Sequence, residues 1–209
     1  MEETKLFFFT FFAALIGVFP PGLVNMTVAK TCVQKGKKSG IWVALGASLI
    51  VFCQACIAIL MAKYIFNHPY VRNILLRTGL VVFLILSVYF FIAARKNKKN
   101  KHKVSKGNSA KNFFTGITIA LLNVFPVPYF VVISTAFNAK GDINYDIISV
   151  IIFSLAAALG TFSTLYIYVL SFLKIEKHTN RFSKYSNYFM AGLMLLLVII
   201  TLIRIYCNG

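Results

Sequence analysis

Acid is what this chain has least of. It carries 5 Asp and Glu in 209 residues, and none of them lies inside a long apolar run. Glu2, Glu3, Asp142, Asp146 and Glu176 stand near the ends of runs or between them. A carboxylate inside the membrane is the usual way to couple transport to protons. Its absence argues against a carboxylate relay and against a buried counter-ion for a cationic solute. Charge of either sign is also sparse, at 13%, where a soluble domain carries about 25%. With 59% hydrophobic residues and a mean hydropathy of +0.79, this excludes a water-soluble globule and a disordered chain. Cysteine is too scarce, and too deep in apolar sequence, for a secreted disulfide framework. Cys53 and Cys56 form a C-x-x-C inside a long apolar segment and read first as small buried hydrophobes. His68, His102 and His178 all fall between apolar runs, so neither a metal site nor a cofactor is expected.

Long apolar runs are what the chain does have. Free of charge, they cover 6–29, 39–62, 78–94, 112–139, 147–173 and 185–203. A helix rises about 1.5 Å per residue, so about 20 residues cross a hydrocarbon core. No run alternates apolar and polar residues as a barrel strand would. The expected fold is an all-α integral membrane protein with six transmembrane helices joined by loops. The first run follows Glu2 and Glu3 and lacks a small-x-small cleavage site, so it reads as a retained span and not a signal peptide.

The net charge of +17 would suggest nucleic acid in a soluble protein. Here the basic residues sit between apolar runs, and no nucleic-acid partner is expected. The loops after the first, third and fifth runs hold 16 of the 22 Lys and Arg. The positive-inside rule places those loops in the cytoplasm and both termini outside, in the cell (inner) membrane. The most basic stretch, 95–111, is a hydrophilic linker without periodicity. It reads as a cytoplasmic tether, though each basic residue near anionic lipid contributes about 1 kcal/mol.

The chain also repeats itself. Gly17-Val18-Phe19-Pro20-Pro21-Gly22 aligns with Asn123-Val124-Phe125-Pro126-Val127-Pro128 at an offset of 106, which also pairs Lys5 with Lys111 and Phe7-Phe8 with Phe113-Phe114. Ala44-Leu45-Gly46 aligns with Ala158-Leu159-Gly160 at 114, and Gly79-Leu80 with Gly192-Leu193 at 113. Matches in order across the chain point to duplication. The expected organisation is a three-helix repeat over 1–94, a basic linker over 95–111 and a second three-helix repeat over 112–209. A unit with an odd number of helices must re-enter from the opposite side, which gives the inverted-repeat architecture of secondary transporters.

Proline lacks an N–H and clashes with the preceding turn. Pro20, Pro21 and Gly22 should therefore break the first helix, and Pro126 and Pro128 the fourth. Broken backbone at membrane depth must be satisfied by protein or water, and the exposed amides and carbonyls of half-helix ends suit a charged or zwitterionic ligand. Asn25, one turn beyond Gly22, and Asn123, ahead of the second break, each offer an amide that donates and accepts. Thr27, Ser48, Gln54, Thr161 and Ser163 are candidates to extend the lining, although hydroxyls often bond back to their own helix.

The sequence resembles the LysE-type translocator family of amino-acid exporters over nearly its whole length. The resemblance rests on Pro21-Gly22, on Gly36-Lys37-Lys38-Ser39-Gly40 ahead of Ala44-Leu45-Gly46, and on Phe113-x-x-Gly116 with Asn123. These are similar to the family's Pro-Gly-Pro break, its basic loop before an Ala-Leu-Gly helix, and its Gly-to-Asn-Pro segment. The resemblance implies six helices and export of amino acids or related metabolites driven by an ion gradient or the membrane potential. Three positions depart from the family pattern. Leu23 replaces the second proline of the break, Val124 the proline after Asn, and Val51 an Asp that many members carry in the second helix. The expected function is thus secondary export by alternating access, not enzymatic catalysis. The bilayer and a small solute are the partners, and a homo-oligomer is left open. Two alternatives stand beside it: a membrane thiol-disulfide redox protein using Cys53 and Cys56, and a non-transporting scaffold using the basic linker.

Overall fold

The computed structural model of the chain describes residues 2–20, 22–68, 70, 81, 84–85, 87–89, 91–92, 95, 108–138 and 145–207. The apolar run 78–94 and the linker 95–111 fall largely outside these residues, and Pro21 lies outside them entirely. Every regular element among the described residues is a helix: α1 (Glu2–Val18), α2 (Leu23–Lys35), α3 (Lys37–Asn67), α4 (Ser109–Leu122), α5 (Pro126–Asn138) and α6 (Ile147–Cys207).

Helix boundaries follow local chemistry. α1 stops just before Phe19, because a residue ahead of proline avoids the α region. Gly22 is extended at φ −106° and opens α2. Gly36 ends α2 at φ +84°, a left-handed value that favours glycine, and its N–H donates to Cys32 O at 2.9 Å. That tight turn lets α3 begin at the next residue. The Asn108 side chain accepts from Ala110 N at 3.0 Å and Lys111 N at 3.4 Å and caps α4. Pro126 occupies the first position of α5, where its missing N–H costs nothing. Asp146 caps α6, its Oδ1 accepting from Ser149 N at 2.9 Å.

The chain divides into two compact units, Met1–Tyr64 with Lys101–Lys177 and Ile65–Asn100 with His178–Gly209. In the first, α3 and α4 run side by side in the same direction. Gly46 of α3 abuts the backbone of Phe113 and Ile117, and Gly116 of α4 abuts that of Val43 and Ala47. α1 and α6 are also parallel. Gly160 abuts Phe11 O and Ala14, Thr164 Oγ1 donates to Leu15 O at 2.9 Å, and Tyr168 Oη to Phe19 O at 2.8 Å. Close packing of small residues is how helices associate without a hydrophobic driving force. Ala14, Ala44, Ala47, Ala55, Ala58 and Ala157 are accordingly all fully buried, and Ala14, Ala55, Ala58 and Ala157 share a core cluster with Phe130 and Phe153.

Two helical stretches, Lys37–Ile65 and Ile147–Ser171, are long and apolar enough to cross a membrane unaided. Two further pairs qualify when each is taken as one bent span: α1 with α2, bent by 71°, and α4 with α5, bent by 67°. Hydrogen bonds at the helix ends favour spans over re-entrant loops. Lys35 Nζ, at the end of α2 beside the start of α3, donates to Asn112 Oδ1 at 3.3 Å. Lys63 Nζ, near the other end of α3, donates to Tyr145 O at 3.2 Å. At 1.5 Å per residue the Cα atoms of Lys37 and Lys63 are about 39 Å apart. The start of α4 and the start of α6 therefore lie at opposite ends of α3. In the second unit, Ser87 Oγ donates to Ala191 O at 3.1 Å and the Phe91 and Tyr188 rings meet edge-on at 5.9 Å.

One boundary corrects the sequence reading. A loop was expected between the runs 147–173 and 185–203, yet the backbone is helical through 174–184 and α6 continues from Ile147 to Cys207. The chain has no proline or glycine between Gly160 and Gly192. Lys, Glu and Arg are good helix formers, so the polar residues there change the surroundings a helix prefers without stopping it.

Candidate functional site at the two helix breaks

The two bent helices cross. α1 packs against α5, and α2 against α4, so the leading half of each broken helix meets the trailing half of the other. Tyr129, one turn into α5, links them at the crossing. Its ring abuts Gly17, where only a glycine leaves room, and its hydroxyl donates to Ala13 O at 2.7 Å. The same ring stacks on Phe125 of the second break at 6.2 Å.

At the first break, helix interruption leaves carbonyls without i+4 donors. Val18 O, Phe19 O and Pro20 O are engaged by side chains. Asn25 Nδ2 donates to Val18 O at 2.5 Å and to Pro20 O at 3.0 Å, and Tyr168 Oη donates to Phe19 O. The Tyr168 hydroxyl also hydrogen-bonds the Asn25 side chain. Asn25 is 3% exposed. It binds the break itself, where the sequence suggested an amide open to a ligand. What stays open is the amide end of α2. Gly22 carries no side-chain cap, and nothing lies within 4 Å of where a Cβ would stand. The first amides of α2 precede Met26 N, which donates to Gly22 O at 3.0 Å, and have no acceptor within the helix.

The second break is satisfied from the other direction. Gln54, in α3, donates through Nε2 to Ala120 O at 3.2 Å and Asn123 O at 3.0 Å. Asn123 N–H closes α4 on Ile119 O and Ala120 O, both at 3.1 Å. Asn123 is half-buried, Pro126 buried and Pro128 exposed. With prolines at 126 and 128, Val127 has the one amide N–H among the first three residues of α5.

The remaining candidates divide. Thr27 Oγ1 donates to Leu23 O and Ser163 Oγ to Leu159 O, both at 2.8 Å, so these hydroxyl protons serve their own helices. Ser48 and Thr161 are buried, and their hydroxyls have no partner among the described residues. Pro20, Gly22, Asn25, Asn123, Pro126, Pro128 and Gln54 all belong to the two breaks. Cys53 is exposed, while Cys56 Sγ donates to Ser154 Oγ at 3.0 Å.

Tyr129 and Tyr168 escaped the sequence reading, and for Tyr168 a signal existed. Adding the repeat offset of 114 to Gln54 gives Tyr168. The two residues that reach across to a break thus occupy equivalent places, as do Gly46 and Gly160 at their helix contacts. Outside the spans, Asp146 has its carboxyl held below the ordinary carboxylate range by hydrogen bonds from the Ser149 hydroxyl and amide.

Long apolar helices, two of them broken pairs with side chains capping carbonyls at each break, mark a helical membrane protein. The chain belongs to the LysE type translocator family, whose model matches residues 15–204. It is accordingly a membrane transport protein of the exporter kind. No curated protein and no solved structure matches it.

Proposed function

We propose that the chain exports amino acids or closely related small metabolites by alternating access, through a site formed where the two broken helices cross. Two repeats, 1–94 and 112–209, enter the membrane from opposite sides and are joined by the basic linker 95–111. Basic residues in 30–38, in the linker and in 174–184 face the cytoplasm, and the N-terminus faces outward. Crosswise capping is the observation that carries this reading: Gln54 of the first repeat secures the second break, and Tyr168 of the second repeat secures the first. Equivalent residues performing exchanged tasks are what a pseudo-twofold axis in the membrane plane requires. The parallel course of α3 with α4, and of α1 with α6, supports the same symmetry.

The solute sits among Pro20, Pro21, Gly22, Asn25, Asn123, Pro126 and Pro128, with Thr27, Ser48, Gln54, Thr161 and Ser163 as further lining. Its carboxylate lies at the open amide end of α2, where helix partial charge favours an anion. Rocking of the repeats about the crossing exposes the site to each side in turn. Because no acid lies in the apolar runs and Val51 is buried, coupling does not run through a carboxylate there. The test is release of a loaded amino-acid panel from proteoliposomes. Export of at least one solute, lost in Pro126→Ala and Asn123→Ala, is the expected result. Folded protein that releases none of the panel refutes the reading.

A further inference from the structure

Gln54 has two ends, and only one is accounted for. Its side-chain N–H groups donate to Ala120 O and Asn123 O. Its Oε1 is buried with no partner among the described residues, in a side chain only 7% exposed. Reversing the amide cannot relieve this, because it would set Oε1 against two carbonyl oxygens. The amide is therefore fixed in one orientation, with its donors filled and its acceptor empty. A buried acceptor left without a donor is costly, unlike a serine or threonine hydroxyl, which can rotate to its own helix. Donating through nitrogen also polarises the amide and makes its oxygen a stronger acceptor. Ala120 O and Asn123 O beside it already have donors, and the apolar runs contain no carboxylate.

We propose that Gln54 determines solute specificity by reading the amino group: Nε2 stays on the second break while Oε1 accepts a hydrogen bond from the ammonium of the transported solute. This rests on the exporter reading above and narrows it to solutes with a free primary amine. A filled donor side gives no welcome to a second carboxylate, so the solute's ammonium is held from α3 beside the second break and its carboxylate by α2 at the first.

The experiment uses the full chain in proteoliposomes loaded with the twenty amino acids, and compares wild type with Gln54→Lys and Gln54→Glu. Lys keeps donors for Ala120 O and Asn123 O and removes the acceptor. Glu keeps the acceptor and loses the donors. If Gln54 contacts the ammonium, KM for every exported solute rises at least tenfold in Gln54→Lys and is unchanged or lower in Gln54→Glu. A residue that only caps the break gives the reverse order, with Lys tolerated and Glu impaired; that order, or wild-type KM in both variants, overturns the proposal while wild-type export leaves the exporter reading standing. A second measurement needs no variant. N-acetylated forms of the exported amino acids should neither leave the vesicles nor compete, and competition equal to the parent solute overturns the proposal. Absence of any wild-type release from folded protein overturns both readings together.

Discussion

Removing the caps of the first break should destabilise the protein in a definite order. Asn25→Leu keeps side-chain bulk and leaves two part-buried carbonyls, Val18 O and Pro20 O, without their donor. Tyr168→Phe leaves one, Phe19 O. Hydrogen bonds inside helical membrane proteins contribute about 0.6 kcal/mol on average and about 1.7 at most. Asn25→Leu should therefore cost about 1–3 kcal/mol and Tyr168→Phe about 0.6–1.7. For a chain of this size 1 kcal/mol moves Tm by about 2–4 °C, so the losses are roughly 2–12 °C and 1–7 °C. Because the Tyr168 hydroxyl also bonds Asn25, the double variant should lose less than the sum. Thermal melts of detergent-solubilised protein, followed by labelling of buried Cys32, read all three. A loss in Tyr168→Phe that equals or exceeds that in Asn25→Leu, or strict additivity, refutes the account of the break.

Further outcomes follow from the packing and the surface. Gly46→Ala and Gly160→Ala each push a methyl into facing helix backbone and should each cost about 1–3 kcal/mol; Gly192→Ala, which meets nothing within 4 Å, should be neutral or stabilising in the same melt. The depressed Asp146 carboxyl should stabilise the start of α6 at pH above the ordinary carboxylate range, an effect lost as pH falls through its lowered folded value. Asp146→Asn should flatten the acid limb of a Tm-against-pH profile. Cys53→Ser with Cys56→Ser should retain export in the proteoliposome assay, since Cys53 is exposed and Cys56 donates to Ser154; loss of export with an unchanged melt would favour a redox role.

Much of the helix architecture was legible because its signals are local. Pro20, Gly22 and Pro126 announce their breaks through backbone sterics, and the repeat offset placed Gly46 and Gly160 in equivalent contacts. Two things were not legible. The polar stretch 174–184 read as a loop because hydropathy reports environment, while helix continuity depends on propensity and on the absence of breakers. The carbonyls of the first break read as open because sequence does not show which way the Asn25 amide turns, and because the cap of Phe19 O comes from far along the chain. Asn25 looked like a free amide until its two acceptors were seen, and a tyrosine at 168 has no local mark of a cap. Only its correspondence with Gln54 carried that information, and that correspondence acquires meaning once both bonds are known.

The long reach of one bond bears on how the protein is made. Phe19 O and the Tyr168 hydroxyl are separated by 149 residues. At a synthesis rate of about 5–20 residues per second, the carbonyl waits roughly 7–30 s for its partner to leave the ribosome. Through that interval the nascent turn must be sheltered by water, lipid headgroups or the insertion machinery. Final seating of the earliest segment is thus a late event in biogenesis, and a chain cut short before 168 is left with its opening turn incompletely covered.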